Sequence, residues 1–153
     1  MKKEIERRLK VNEVSIPLHD ITSIQHIIQG YISESPLIRV RFSRNNSELT
    51  IKGKKTGITC DEFNMSMKDD EALELVNKCH NKIYKTRYTL NCNGKEWVVD
   101  VFIKDHEGLI IAEVELESET EAIELPKWVG LEISTDPKYS NINLSKIPFK
   151  FIE

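Results

Sequence analysis

Glu4-Ile5-Glu6-Arg7-Arg8 is the stretch on which the fold of this chain turns. As a β-strand it alternates with period two, so Glu4, Glu6 and Arg8 share one face and Ile5 and Arg7 the other. Two acids and a base make a poor apolar core. They suit either a solvated strand edge or the floor of a site that holds a cation and an anion. On this stretch alone the solvated edge is the simpler reading. The same alternation recurs further along the chain, and the recurrence decides against the edge.

Working outward, residues 37–43 place Ile38, Val40 and Phe42 on one face and Arg39 and Arg41 on the other. Residues 48–54 set Lys52 opposite Leu49 and Ile51. Residues 58–67 set Glu62, Asn64 and Ser66 against Phe63, Met65 and Met67. Residues 83–92 present Lys85 and Arg87 together, and in residues 96–104 Asp100 alternates against Val99 and Val101. Residues 109–117 carry Glu113, Glu115 and Glu117 opposite Val114 and Leu116. Asn45-Asn46 and Asn93-Gly94 are turn signals between strands. Gly30, inside the strand at residues 25–33, marks a bulge or a close backbone approach. Residues 17–23 read as a turn or short helical connection.

One helix stands out at residues 69–80. Asp69 or Asp70 can cap it, and Ala72, Leu73, Leu75, Val76 and Cys79 approximate its apolar stripe. Residues 118–125 read as a helical turn, 126–133 as a short aromatic-bearing segment and 139–146 as a short terminal helix. The expected fold is therefore mainly β (α+β): an eight-stranded antiparallel β-barrel tunnel with one or more flanking helices, one domain over residues 1–153.

The charged faces belong inside this barrel. Solvated faces usually mix charges, whereas here Arg39/Arg41 and Lys85/Arg87 are wholly basic and Glu113/Glu115/Glu117 wholly acidic. Like charges on adjacent positions repel unless something binds them. The helix also needs an apolar sheet surface to lie on, which an outward apolar face supplies. A charged lumen is costly when empty. A polyanion carrying a divalent cation would satisfy it, with the bases on phosphoryl oxygens and the carboxylates on a hard cation.

Composition bounds the remaining possibilities. Lys and Arg total 22 against 25 Asp and Glu, a net charge of −3, which argues against non-specific nucleic-acid binding. No apolar run approaches the roughly 18 residues needed to span a membrane. The charged start lacks the apolar stretch of a signal peptide. Cys60, Cys79 and Cys92 are odd in number and widely spaced, so a reducing, cytoplasmic setting without a zinc site or disulfide framework is expected. His80 and His106 read as surface residues, Trp128 as core, Tyr139 as packing the terminal helix on a tunnel end, and Lys54 and Lys55 as solvated turn residues.

Taken in order, Glu4-x-Glu6-x-Arg8, Gln29-Gly30-Tyr31, Arg39-x-Arg41, Leu49-Thr50-Ile51-Lys52, Lys85-Thr86-Arg87-Tyr88 and Glu113-Val114-Glu115 resemble the CYTH, or triphosphate tunnel metalloenzyme, superfamily. So does the end of the chain, from Trp128-Val129-Gly130 to Asp136-Pro137-Lys138-Tyr139-Ser140-Asn141. The tail is most similar to small bacterial members that hydrolyse inorganic tripolyphosphate. The resemblance implies a tunnel that binds a small-molecule triphosphate with Mg²⁺ or Mn²⁺ and hydrolyses it, without nucleic acid or membrane, as a monomer or homodimer. It implies that Arg8, Arg39, Arg41, Lys52, Lys85 and Arg87 bind phosphates. It implies that Glu4, Glu6 and Glu117 foremost hold metal, with Glu113 and Glu115 close by and Asp100 also in the metal set, and that Glu62 and Asp100 complete the acidic lining. Tyr31 would sit at the mouth beside residue 8. Lys85, Arg87 and Tyr31 would act in catalysis, and Glu62, Glu115 or a second metal would orient the water.

Two positions depart from the family pattern. Arg8 stands where the family has lysine, and Asn64 where relatives often carry an acid. Arginine binds phosphate but does not readily shed a proton. Alternatives within the superfamily are an adenylate cyclase or a thiamine triphosphatase. Outside catalysis the alternative is a polyphosphate-binding module, which would gain little from three acids on one strand.

Overall fold

In the computed structural model, residues 1–12 and 16–152 are described. They form nine strands and two helices. The strands are β1 (Lys2–Val11), β2 (Ile21–Glu34), β3 (Leu37–Phe42), β4 (Glu48–Lys52), β5 (Thr59–Ser66), β6 (Lys82–Cys92), β7 (Lys95–Phe102), β8 (Ile110–Glu115) and β9 (Val129–Glu132). The helices are α1 (Asp69–Lys78) and α2 (Asn141–Lys146).

The sheet runs β5-β4-β3-β2-β6-β7-β8-β1, and an additional β1–β5 pairing closes it into an eight-stranded antiparallel barrel. β1 is the closing strand because it works on both edges. Its first half pairs β5 (Glu4 opposite Cys60), and its second half pairs β8 (Glu6 opposite Glu115, Arg8 opposite Glu113). Leu9 faces both Ala112 and Glu132, so the short ninth strand continues along the edge that β5 leaves open.

The barrel keeps its apolar packing largely on the outside of its wall. Leu9, Leu90, Trp97, Val99, Ala112 and Val114 form one buried cluster, covered by Leu116 and Trp128 from the connection between β8 and β9. Trp97 and Trp128 meet edge to face at 5.6 Å. A second cluster lies under α1, where Ala72 and Val76 are fully buried on Val40. Gly30 is what lets the helix come so close. A Cβ there would lie 2.7 Å from both Cβ and Sγ of Cys79. The third cluster plugs one barrel end: Ile83, Phe102 and Ile111 meet Tyr139 and Leu144 of the C-terminal segment.

Several expectations need correction. Residues 118–125 are not helical but a turn followed by irregular chain. Their acids are taken by partners across the wall: Glu119 accepts from the Thr59 hydroxyl at 2.6 Å, and Glu121 pairs Lys95 at 2.9 Å and accepts from the Glu117 amide at 2.6 Å. Asp69 does not cap α1; its carboxylate accepts from the Asn45 amide and the Ser47 hydroxyl, both at 2.8 Å, and Lys68 stands at the cap. The helix ends at Lys78 rather than residue 80. His106 is buried, not on the surface, and Nε2 contacts the carbonyls of Leu144 and Ile147 at the end of α2. His80 is exposed and Trp128 buried, as expected. Cys60, Cys79 and Cys92 are free thiols, and among the described residues no helix is long and apolar enough to cross a membrane.

Candidate active site

Alternation along each strand sets the lumen. β3 turns Arg39 and Arg41 inward, β4 turns Glu48, Thr50 and Lys52, and β5 turns Glu62 and Asn64. β6 adds Lys85 and Arg87, β7 Asp100, β8 Glu113 and Glu115, and β1 Glu4, Glu6 and Arg8. Two cavities of about 660 and 640 Å³ share Glu4, Glu6, Arg39, Lys52 and Asn141 as walls, which makes them two halves of one tunnel. The first half adds Arg8, Tyr31, Lys54 and Lys55; the second adds Arg41, Glu62, Lys85, Arg87, Glu113, Glu115 and Glu117.

Opposite charges from different strands meet across this lumen. Asp100 is 1% exposed and receives Lys85 Nζ and Arg87 Nε, each at 2.8 Å. Glu113 pairs Arg8 Nε at 2.9 Å and Arg87 Nη2 at 3.4 Å. Glu48 pairs Arg41 at 2.6 Å, and Lys52 reaches Glu4 at 2.8 Å and Glu62 at 3.4 Å. A relay runs from Arg39 Nη2 to Thr50 (3.0 Å), from Thr50 to Asn64 Oδ1 (2.6 Å) and from Asn64 Nδ2 to Glu62 (2.6 Å). Asn64 thus donates to Glu62 where a carboxylate would repel it.

These pairings set the protonation states. Burial alone would raise Glu62, but hydrogen bonds with Glu4 and Asn64 and the Lys52 charge hold it down to about 2. Burial likewise opposes ionisation of Asp100, and the charges of Arg87 and Lys85 override it and hold the carboxyl well below the usual range. Lys85 is pushed down to about 8 by burial and by Arg87, against the pull of Asp100. Burial and the charges of Arg39 and Arg87 bring Arg41 down to about 10. Burial raises the Tyr31 phenol, whose oxygen accepts from Gln29 Nε2 at 3.0 Å.

What remains unpaired is informative. Arg8 Nη2, Arg39 Nε and Arg41 Nε are buried donors with no partner. Among the described acids of the lumen, Glu6 has no ion pair, and burial, Glu113 and Glu4 push its carboxyl up to about 8. Its cross-strand neighbour is Glu115, exposed at the tunnel rim and likewise without a cation partner. Glu117 lies beyond the end of β8, also exposed and also on the cavity wall. No three His, Cys, Asp or Glu side chains among the described residues converge closely enough to hold a metal as they stand. Glu6 and Glu115 nevertheless suit a hard cation that keeps part of its water shell, since such an ion needs only one or two carboxylates.

Sequence reasoning gave no role to Glu48 or Thr50, although both share the face of Lys52 and two-residue steps back from it reach them. Lys55 is not simply solvated: its Nζ donates to the Ser134 carbonyl at 2.8 Å. No strand alternation points to Asn141, which enters from the C-terminal segment.

The CYTH domain family matches residues 2–148. The chain is 40% identical to an inorganic triphosphatase of Acetivibrio thermocellus over 126 residues, 80% of this chain and 81% of that protein. A crystal structure of an inorganic triphosphatase superposes with TM-score 0.66 at 26% identity, covering 95% of each chain. A protein of Pyrococcus horikoshii shares the fold with TM-score 0.59 at 20% identity, over 76% of this chain and 79% of that one.

Proposed function

This chain belongs to the CYTH domain family, and from that premise we propose that it hydrolyses inorganic triphosphate to pyrophosphate and phosphate with Mg²⁺ or Mn²⁺. The observation that carries the reading is the set of unpartnered buried guanidinium donors on Arg8, Arg39 and Arg41. Leaving such donors unsatisfied costs about 1–3 kcal/mol each, more for charged groups. A chain of phosphoryl oxygens satisfies all of them together.

In this reading Arg8, Arg39, Arg41, Lys52 and Arg87 hold the phosphate chain, the arginines through planar forks that match phosphoryl oxygens. Lys85, already committed to Asp100 at 2.8 Å, adds its charge at the inner wall. Asp100 fixes Lys85 and Arg87 rather than holding metal. Glu6 and Glu115 anchor the cation, with Glu4 and Glu117 beside them and Glu113 committed to Arg8. The cation supplies Lewis-acid neutralisation of phosphoryl oxygens when bound. Glu62, held ionised by Asn64 and Lys52, accepts a hydrogen bond from the attacking water and so orients it toward the terminal phosphorus. Tyr31, kept as a phenol by burial, donates to a phosphoryl oxygen in the first half of the tunnel. The P–O bond to pyrophosphate breaks as the water oxygen bonds to phosphorus; the electron pair and one water proton leave with pyrophosphate, and the other proton stays on the phosphate formed. Positioning and electrostatics carry most of such a reaction.

Phosphate release is measured from tripolyphosphate, thiamine triphosphate and ATP, each with Mg²⁺, with Mn²⁺ and with excess chelator. The expected result is metal-dependent release that is fastest from tripolyphosphate. Faster turnover of an organic triphosphate would reassign the substrate, and full activity in excess chelator would remove the metal.

A further inference from the structure

Among the described residues, Asn141 is the one tunnel residue that comes from outside the barrel strands and lines both halves, with Glu4, Glu6, Arg39 and Lys52. Its carboxamide oxygen Oδ1 is buried and has no hydrogen-bond partner. The backbone that delivers it is held at several points. The Asp136 carboxylate accepts from the Lys138 amide at 3.2 Å. Ser140 Oγ accepts from the Asn143 amide at 3.3 Å and donates to the Pro137 carbonyl at 2.9 Å. Arg8 Nη1 donates to the Tyr139 carbonyl at 2.8 Å, Leu144 is fully buried in the apolar plug, and His106 Nε2 contacts the carbonyls of Leu144 and Ile147. The segment is anchored on both sides of residue 141, so its placement in the lumen is not a loose end of the chain.

An unpaired acceptor oxygen in this tunnel lacks a donor or a cation. The nearby bases do not serve it: Arg39 donates to Thr50 at 3.0 Å, and Lys52 to Glu4 at 2.8 Å. Phosphoryl oxygens are acceptors themselves and cannot satisfy it. The carboxyl group of Glu6, on the same stretch of wall, likewise has no cation partner, Lys52 being paired with Glu4. We propose that Asn141 contributes a neutral oxygen to the shell of the divalent cation held on the Glu6 side of the tunnel, bonded to the ion or to one of its waters. Carboxamide oxygens are ordinary partners of hard cations. The inference rests on the metal-dependent reading above and adds a member that the charge pattern of the strands does not reveal.

Mn²⁺ titration followed by electron paramagnetic resonance, without substrate, tests it on the wild type and on Asn141→Ala, Asn141→Leu and Asn141→Asp. Asn141→Leu is near-isosteric but has no oxygen, so either it or Asn141→Ala decides if the other fails to fold. The expected result is Mn²⁺ affinity lower by about tenfold in the alanine and leucine variants, in line with the loss of a supporting metal contact. Asn141→Asp should bind Mn²⁺ at least as tightly as the wild type, because the oxygen stays and gains charge. Metal-free melting temperatures should not fall in Asn141→Ala, since Oδ1 has no partner to lose. Wild-type affinity in the folded alanine or leucine variant would overturn the assignment while leaving the triphosphatase reading intact. So would weakened Mn²⁺ binding in Asn141→Asp, which would point to a donor role for the amide. Failure of the wild type to bind Mn²⁺ both alone and with a non-hydrolysable imido analogue of triphosphate present would overturn the metal reading and this inference together.

Discussion

Arg8 does three things with one side chain. Nε pairs Glu113 at 2.9 Å, Nη1 donates to the Tyr139 carbonyl at 2.8 Å, and Nη2 is left buried and free for a ligand. A lysine carries the charge but not the planar fork. Arg8→Lys is expected to change the hydrolysis rate within about tenfold, or roughly 1.4 kcal/mol in the barrier. Rate against pH on tripolyphosphate at saturating metal checks this. A large gain in rate with a new alkaline limb would mean that the position wants an amine able to lose its proton. Asp100 gives a second test. The charges of Arg87 and Lys85 overcome burial and hold its carboxyl low in the folded protein. The unfolded chain then takes up the proton more readily, so this stabilisation is present above the ordinary Asp value of about 3.9 and is lost as pH falls through the folded value. Asp100→Asn is expected to flatten the acid limb of melting temperature against pH. It should also cost about 3–5 kcal/mol at neutral pH, by stranding two buried cations. An unchanged acid limb would count against the pairing.

Helix α1 stands or falls with the glycine beneath it. A methyl group at residue 30 would lie 2.7 Å from Cys79 Cβ and Sγ, so helix and strand must move apart. Gly30→Ala is expected to cost about 1–3 kcal/mol in denaturant unfolding, the usual range for overpacking. Gly30→Ala combined with Cys79→Gly should recover part of that loss, and a fully additive pair would rule out the clash. This close approach was half legible in the sequence, as one of two readings of a glycine inside a strand, the other being a bulge. The inward faces were legible for a related reason: side chains on a strand alternate strictly, so naming Arg39 or Lys85 as inward also fixes its neighbours two residues away. Residues 118–125 were not legible. Their Glu and Ala content suits a helix, but Leu116 and Trp128 on either side pack into the outer wall and Thr59 and Lys95 take the acids. The burial of His106 and the tunnel position of Asn141 were hidden by the same cause. Both act through contacts between the barrel and the C-terminal segment, far apart in sequence and without periodicity, which no local pattern encodes.

The molecule as a whole carries a net charge of −3, yet its tunnel is close to electroneutral. Among the described residues, six inward bases (Arg8, Arg39, Arg41, Lys52, Lys85 and Arg87) face seven inward acids (Glu4, Glu6, Glu48, Glu62, Asp100, Glu113 and, at the rim, Glu115), of which Glu6, pushed up to about 8, is largely uncharged at neutral pH. A triphosphate entering alone would upset this balance, and so would a divalent cation entering alone. Entering together they partly cancel, while the free guanidinium donors and the Glu6 carboxyl each gain a partner. Binding of the two is therefore expected to be cooperative. A ligand at about 100 times its dissociation constant stabilises the folded state by about 2.7 kcal/mol. For a chain of this size each kcal/mol shifts the melting temperature by about 2–4 °C. Melting is measured with Mn²⁺ alone, with a non-hydrolysable imido analogue of triphosphate alone, and with both. The expected outcome is a combined shift of about 5–10 °C that exceeds the sum of the separate shifts, with sulfate reproducing little of it. Separate shifts that merely add would mean that polyanion and cation occupy the tunnel independently, and the balance of its charges would then not be what couples them.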